Sequence, residues 1–123
     1  MPTIAQQFRE CLRRAPQAET VQFFPGVGGP ARTLRVLIET TAQEVSGGQR
    51  EDRREVLLVT AYGDPTDVLV GGIDAPHLRD AIQRVDGARY GYAGEVVNQS
   101  GYSWQLRYQR RQPKTAGANQ VQR

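Results

Sequence analysis

The 123-residue chain is short of the residues that most often carry chemistry. It has one cysteine, one histidine, one methionine and one tryptophan, and a single lysine among its sixteen basic residues. One cysteine excludes an internal disulfide framework and suits a reducing compartment. With one cysteine and one histidine, no Cys/His zinc site can be assembled within one chain. A nucleophile–histidine pair needs Cys11, Ser46, Ser100 or Ser103 beside His77. None of those serines has the strand–turn–helix setting of a nucleophile elbow. The thirteen acidic residues show no spacing that marks a carboxylate pair. The expectation is therefore no enzyme, no metal and no cofactor, with His77, after Pro76, an exposed or capping turn residue.

Long hydrophobic runs are missing too. Nothing approaches the roughly 18 apolar residues of a membrane span. The opening MPTIAQQFREC lacks the basic-then-apolar order of a signal peptide. Hydrophobic residues make up 38% and mean hydropathy is −0.58, which leaves a lean core. The length suits one domain, expected over residues 1–112, with a loose tail over 113–123.

Net charge is +3 and unevenly spread. From Gln105 onward there are five basic residues, Arg107, Arg110, Arg111, Lys114 and Arg123, and no acid. The rest holds 11 basic against 13 acidic residues, a net of −2, so the pI of 9.4 reports a basic tail on a slightly acidic body. Such a tail suits nucleic acid or an acidic protein surface as partner, or is simply a solvated end.

Along the chain, Thr3 to Ala15 reads as a short helix. Ile4, Phe8, Cys11, Leu12 and Ala15 form one apolar stripe, which predicts a buried, structural Cys11. Thr3 with Gln6 makes a capping-box pattern, and Pro16 stops the helix. Thr20–Phe24 is a strand candidate. PGVGGPA follows as a flexible loop; it lacks the lysine and the following helix that a phosphate cradle needs. Arg32–Thr41 alternates like a half-buried strand, whereas Glu55–Tyr62 is a near-continuous apolar run, as in a strand covered on both faces. Between them lies a long polar hairpin loop. Its tip, Gln49, Arg50, Glu51, Asp52, Arg53 and Arg54, is a candidate arm for reaching a neighbouring subunit.

Gly63–Asp67 is a turn whose Asp64 and Asp67 are candidate loop contacts; they lack the twelve-residue pattern of a calcium loop. Val68–Val70 is a possible short strand. Asp74–Val85 is ambiguous. Asp74 as N-cap and Pro76 at the first turn fit a helix ending at Gly87, yet Asp86-Gly87 is a type I′ hairpin signal asking for strands on both sides.

The last part, Leu78 to Arg111, reads as a β-meander with turns at Asp86-Gly87 and Asn98–Gly101. Tyr90, Tyr92 and Val96, interspersed with Gly91 and Gly94, suggest a bent strand. Tyr102, Trp104, Leu106 and Tyr108 then alternate with polar residues. This stripe has two readings: core face of a small barrel, or an exposed base-stacking platform beside basic residues. The polar opposite face favours core.

The order of elements, and above all Leu78-Arg79-Asp80, Val85-Asp86-Gly87, Tyr90, Val96-Val97 and Leu106, resembles the small head–tail joining (head-completion, connector or stopper) proteins of long-tailed bacteriophages. The resemblance spans about residues 3–111. Arg79-Asp80 lacks the glycine usual before the aspartate, and Asp64–Pro76 is longer than the pattern. It implies a mainly β fold: a small antiparallel β-barrel with a short N-terminal helix, long hairpin loops and a basic C-terminal tail, and a strand from about Asp80. It implies a homo-oligomeric ring, on the order of 6 or 12 copies, at the virion neck. Such a ring docks on a portal or adaptor, receives a tail protein and helps retain packaged DNA, with no membrane involved and synthesis in the bacterial cytoplasm. Under that implication the hairpin tip, Asp64 and Asp67, and the basic Arg110, Arg111, Lys114 and Arg123 are the contact residues. The alternatives are a small basic OB- or SH3-like nucleic-acid-binding module and a tail-completion or terminator ring protein.

Overall fold

The computed structural model describes residues 3–43 and 54–110. One helix, α1 (Ile4–Arg14), precedes six strands: β1 (Ala18–Phe24), β2 (Arg32–Gln43), β3 (Arg54–Tyr62), β4 (Ala81–Gln83), β5 (Arg89–Gln99) and β6 (Ser103–Arg110). All paired strands are antiparallel, and they close in the order β1-β2-β3-β6-β5-β4. The fold is the expected small antiparallel barrel with an N-terminal helix.

Period-two alternation fixes the inside. Val21 and Phe23 of β1, Leu34 and Val36 of β2, Leu57, Val59 and Ala61 of β3, Ile82 of β4, Tyr90 of β5, and Leu106 and Tyr108 of β6 meet with Ile73 in one buried cluster. A one-residue slip of any strand would turn these outward, so burial locks the register. Trp104 and Tyr92 pack at the margin of this cluster, half-buried. The aromatic stripe of β6 is therefore core at Leu106 and Tyr108, and Trp104 is less enclosed than expected.

Outside the barrel, α1 covers a second cluster. Leu12, Tyr62 and Val70 are buried there, with Ala5, Phe8, Leu37 and Tyr102 against them. Phe8 stacks on Tyr62 at 6.2 Å between centroids and tilts on Tyr102 at 5.4 Å. The N-cap is the capping box read from the sequence: Gln6 N–H donates to Thr3 Oγ1 and Thr3 N–H to Gln6 Oε1. The docked face keeps Phe8 and Leu12 of the predicted stripe but is rotated away from Ile4 and Cys11. Ala5, Phe8 and Leu12 face the barrel, while Ile4 and Cys11 are exposed. The expectation of a buried Cys11 is thus corrected. Arg9 reaches Asp67 on the loop above β3, which favours a helix face shifted toward Arg9.

Asp74–Val85 is not a helix. His77 to Asp80 forms a turn and β4 starts at Ala81, as the resemblance implied. The Asp86-Gly87 hairpin exists but is not type I′. Only Gly87, at φ +92°, has positive φ, so Asp86 keeps an ordinary backbone. Gly87 N–H donates to Arg84 O and Arg84 N–H to Ala88 O, a three-residue loop with glycine at its left-handed position. Val68–Val70 is not a strand either. The Asp67 carboxylate accepts from the Leu69 and Val70 N–H groups and folds the chain back on itself.

Candidate interaction surfaces

Because the six strands pair antiparallel throughout, the two ends of the barrel are built from different connections. The β1–β2 loop (25–31), the β3–β4 connection (63–80) and the β5–β6 turn lie at one end. The β4–β5 turn, the far end of the β2–β3 hairpin and the exit of β6 lie at the other.

The first end carries most of the exposed large aliphatics, set among exposed polar residues such as Asp64, Asp74, His77 and Arg79. Val27, Val68, Leu69 and Leu78 in its loops and Val96 and Val97 on β5 are exposed, Val68 to 92%. Of the other exposed large aliphatics among the described residues, Val85 lies in the β4–β5 turn at the opposite end and Ile4 on α1. Every residue of β5 from Ala93 to Gln99 is exposed, so among the described residues little covers either side of this stretch. The cause is the length of β4. Its three residues pair only with Arg89–Gly91, and beyond that the β4-side edge of β5 from Ala93 to Gln99 has no strand partner among the described residues. Register shifts between Tyr92 and Val96 and between Val96 and Asn98 bend the same stretch.

Two carboxylates organise the loops beneath this surface. Asp80 has no solvent exposure. Its Oδ1 accepts from Gly26 N–H at 2.7 Å and its Oδ2 from His77 N–H at 2.8 Å, while its own carbonyl takes the Tyr92 N–H. Gly26 is required at this meeting, since a Cβ there would lie 2.7 Å from Arg79 C and Asp80 N. Asp67, whose side chain is 6% exposed, accepts from Arg9 at 3.1 Å and from two backbone N–H groups. Burial raises its pKa, but hydrogen bonds from Val70, Arg9 and Leu69 outweigh that and hold the carboxyl below the usual range. The Asp67 carboxylate is thus committed inside the fold. Asp64 is exposed and accepts from the Thr66 N–H and hydroxyl.

Between the outer face of β1–β2 and the 65–71 loop lies a cleft of about 400 Å³. Thr20, Thr33, Arg32 and Arg35 form its floor and Val68 and Leu69 its lip. Arg32 sits 5.2 Å over the Phe23 ring and donates to the carbonyls of Pro65 and Gly72. Arg35 donates to the carbonyls of Leu12 and Ala15, completing the C-terminus of α1. Neither arginine has a carboxylate partner among the described residues.

The second end is charged. Glu19 and Arg84 form a two-bond pair at 2.7 and 2.8 Å, with side chains 22% and 23% exposed. Arg110 pairs with Glu55 at 3.2 Å. The guanidinium groups of Arg84 and Arg110 each lie 6.0 Å from the Tyr90 ring, which closes the barrel from inside. Burial is the main cause raising the Tyr90 phenol pKa, with Arg84 opposing it and Glu55 adding to it.

The residues proposed from sequence are scattered between these surfaces. Asp64 and Asp67 lie at the apolar end and Arg110 at the charged one. Gln49, Arg50, Glu51, Asp52, Arg53, Arg111, Lys114 and Arg123 fall outside the described residues, as does the tail from 113. Arg54 is described only as the backbone start of β3. His77 is exposed, and its backbone rather than its ring is used, as donor to Asp80. Sequence reasoning assigned no role to Asp80, Arg32 or Arg35. Two signs of Asp80's turn-closing role were available: an Asp three residues after a Pro-His pair and just before a strand, and the Leu78-Arg79-Asp80 match that placed a turn there. Among the described residues no group of three or more His, Cys, Asp or Glu side chains could hold a metal ion, and no helix is long and apolar enough to cross a membrane. No family model, curated protein or solved structure matches the chain.

Proposed function

We propose that the protein is a structural virion component. It forms a homo-oligomeric ring at the head–tail junction of a long-tailed phage, docks on the portal or adaptor by one face, receives a tail protein by the other and helps retain packaged DNA. The observation that carries this reading is the contrast between the two ends of one small barrel, apolar at Val27, Val68, Leu69, Leu78, Val96 and Val97 and charged around Glu19, Arg84, Glu55 and Arg110. A subunit held between two different partners needs two unlike surfaces, and so does a heterologous ring contact. The edge of β5 from Ala93 to Gln99, which has no strand partner among the described residues, supports self-association, because such an edge offers N–H and C=O groups to a neighbour. The rival nucleic-acid module loses part of its platform, since Leu106 and Tyr108 of the aromatic stripe are core residues.

Negative-stain imaging and mass measurement of the purified chain test the reading. Closed rings of one copy number are expected, and the double substitution Val96→Asp/Val97→Asp is expected to abolish them while the melting temperature holds. A chain that stays monomeric at high concentration, alone and with capsids lacking it, sinks the proposal.

A further inference from the structure

We infer that the cleft between β1–β2 and the 65–71 loop is a binding site for an acidic, aliphatic peptide segment, one in which a carboxylate side chain stands beside a leucine- or valine-like residue. This stands independently of the ring. A guanidinium has five N–H donors. Arg32 spends only Nη1, on the Pro65 and Gly72 carbonyls. Arg35 spends Nε and one Nη2 donor on the end of α1. Donors on both remain without a partner among the described residues, and both side chains are half-buried in the same cleft.

Half-burial makes an uncompensated cation costly, and a carboxylate is the natural complement of the guanidinium fork. The one acid in the lining, Asp67, does not supply it, because its oxygens are taken by Arg9 and by the Leu69 and Val70 N–H groups. Thr20 and Thr33 add hydroxyls to the floor. The lip decides the class of ligand. Val68, exposed to 92%, and Leu69, exposed to 53%, give an aliphatic side chain a surface to cover. A nucleic acid asks instead for a stacking aromatic, and none lines the cleft. The volume, about 400 Å³, suits a few residues of chain rather than a large ligand.

The test is an amide-shift NMR titration of the full chain with a blocked leucine–aspartate pentapeptide. Parallel titrations use its leucine–asparagine counterpart, inorganic phosphate and a short single-stranded oligothymidylate. Saturable shifts at residues 32–35 and 65–71 are expected with the acidic peptide, at least about tenfold stronger than with the asparagine peptide. Leu69→Asp, on the exposed lip, is expected to weaken binding about tenfold with no change in melting temperature, through like-charge repulsion and loss of apolar cover. Arg32→Gln removes the charge and is expected to abolish the preference for aspartate over asparagine, with the fold checked by the unshifted amides of β5 and β6. Equal response to both peptides, shifts outside the cleft, or tighter binding of phosphate or the oligonucleotide there overturns the inference.

Discussion

At one end of the barrel a carboxylate with no solvent exposure gathers the loops; at the other, two carboxylates pair with arginines on a rim that water reaches. Asp80 joins the β1–β2 loop to the turn before β4 through two backbone N–H donors. Glu19 and Glu55 each hold one arginine across neighbouring elements. The number of polar contacts is similar, but the surroundings differ. A buried acceptor that is removed leaves donors which water cannot easily satisfy, whereas a rim pair that is broken is replaced by hydration. The apolar end therefore depends on its buried polar anchors and presents aliphatics outward. The charged end needs little anchoring and presents ions.

The largest effect expected from this contrast is at Asp80. Asp80→Ala strands the Gly26 and His77 amides and is expected to cost about 3–5 kcal/mol, read as a lower urea midpoint at unchanged slope. Asp80→Asn keeps one acceptor and is expected to fall between that and wild type. If Asp80→Ala were no more harmful than Glu19→Ala, the distinction between the ends would collapse.

How much of this was legible beforehand differs in the same way. The strands of the core were readable because alternation records which face is buried: Leu34, Val36 and Ile38 in β2, and Leu106 and Tyr108 in β6, needed no other signal. The capping box at Thr3 and Gln6 and the covered strand β3 were equally local. What could not be read was whatever depends on a distant partner. The face of α1 depends on partners far along the chain, Tyr62, Val70 and Tyr102 against Phe8 and Leu12 and Asp67 against Arg9, so the stripe through Cys11 misled. The open edge of β5 follows from β4 being three residues long, a length that pattern alone does not fix. The cleft needs Arg32 and Arg35 to stand opposite Val68 and Leu69, which only the folded connection provides. Asp86-Gly87 shows a subtler limit: the dipeptide announces a hairpin, but the turn type is settled by the backbone φ of Asp86.

Asp67 carries the second prediction, because its pKa gives the apolar end an acid limit. The folded-state pKa is lowered, so the folded chain binds fewer protons at this site than the unfolded chain. Its stabilisation is complete above the unfolded value of about 4 and is lost as pH falls through the folded value. Asp67→Ala is expected to lower stability by about 2 kcal/mol at neutral pH, with the deficit shrinking below about pH 4 as the wild-type group protonates. Melting curves over that range check it. A deficit constant down to strong acid would show that the charge plays no part.

The smallest effect is expected on the charged rim. Glu19 and Arg84 are each about one-fifth exposed and bonded through both guanidinium edges, which places them above an ordinary surface pair but below a buried one. Glu19→Gln keeps the side-chain shape and one acceptor, and is expected to cost about 0.5–1 kcal/mol at low salt. Part of that cost should vanish in concentrated salt, where the attraction is screened within a few ångströms. The Asp80→Asn deficit, lying where solvent ions do not reach, is expected to be insensitive to salt. Parallel urea titrations of the two substitutions at low and high salt therefore separate the ends directly. A salt-dependent Asp80→Asn beside a salt-independent Glu19→Gln would reverse the assignment of which end is sealed from solvent and which is open to it.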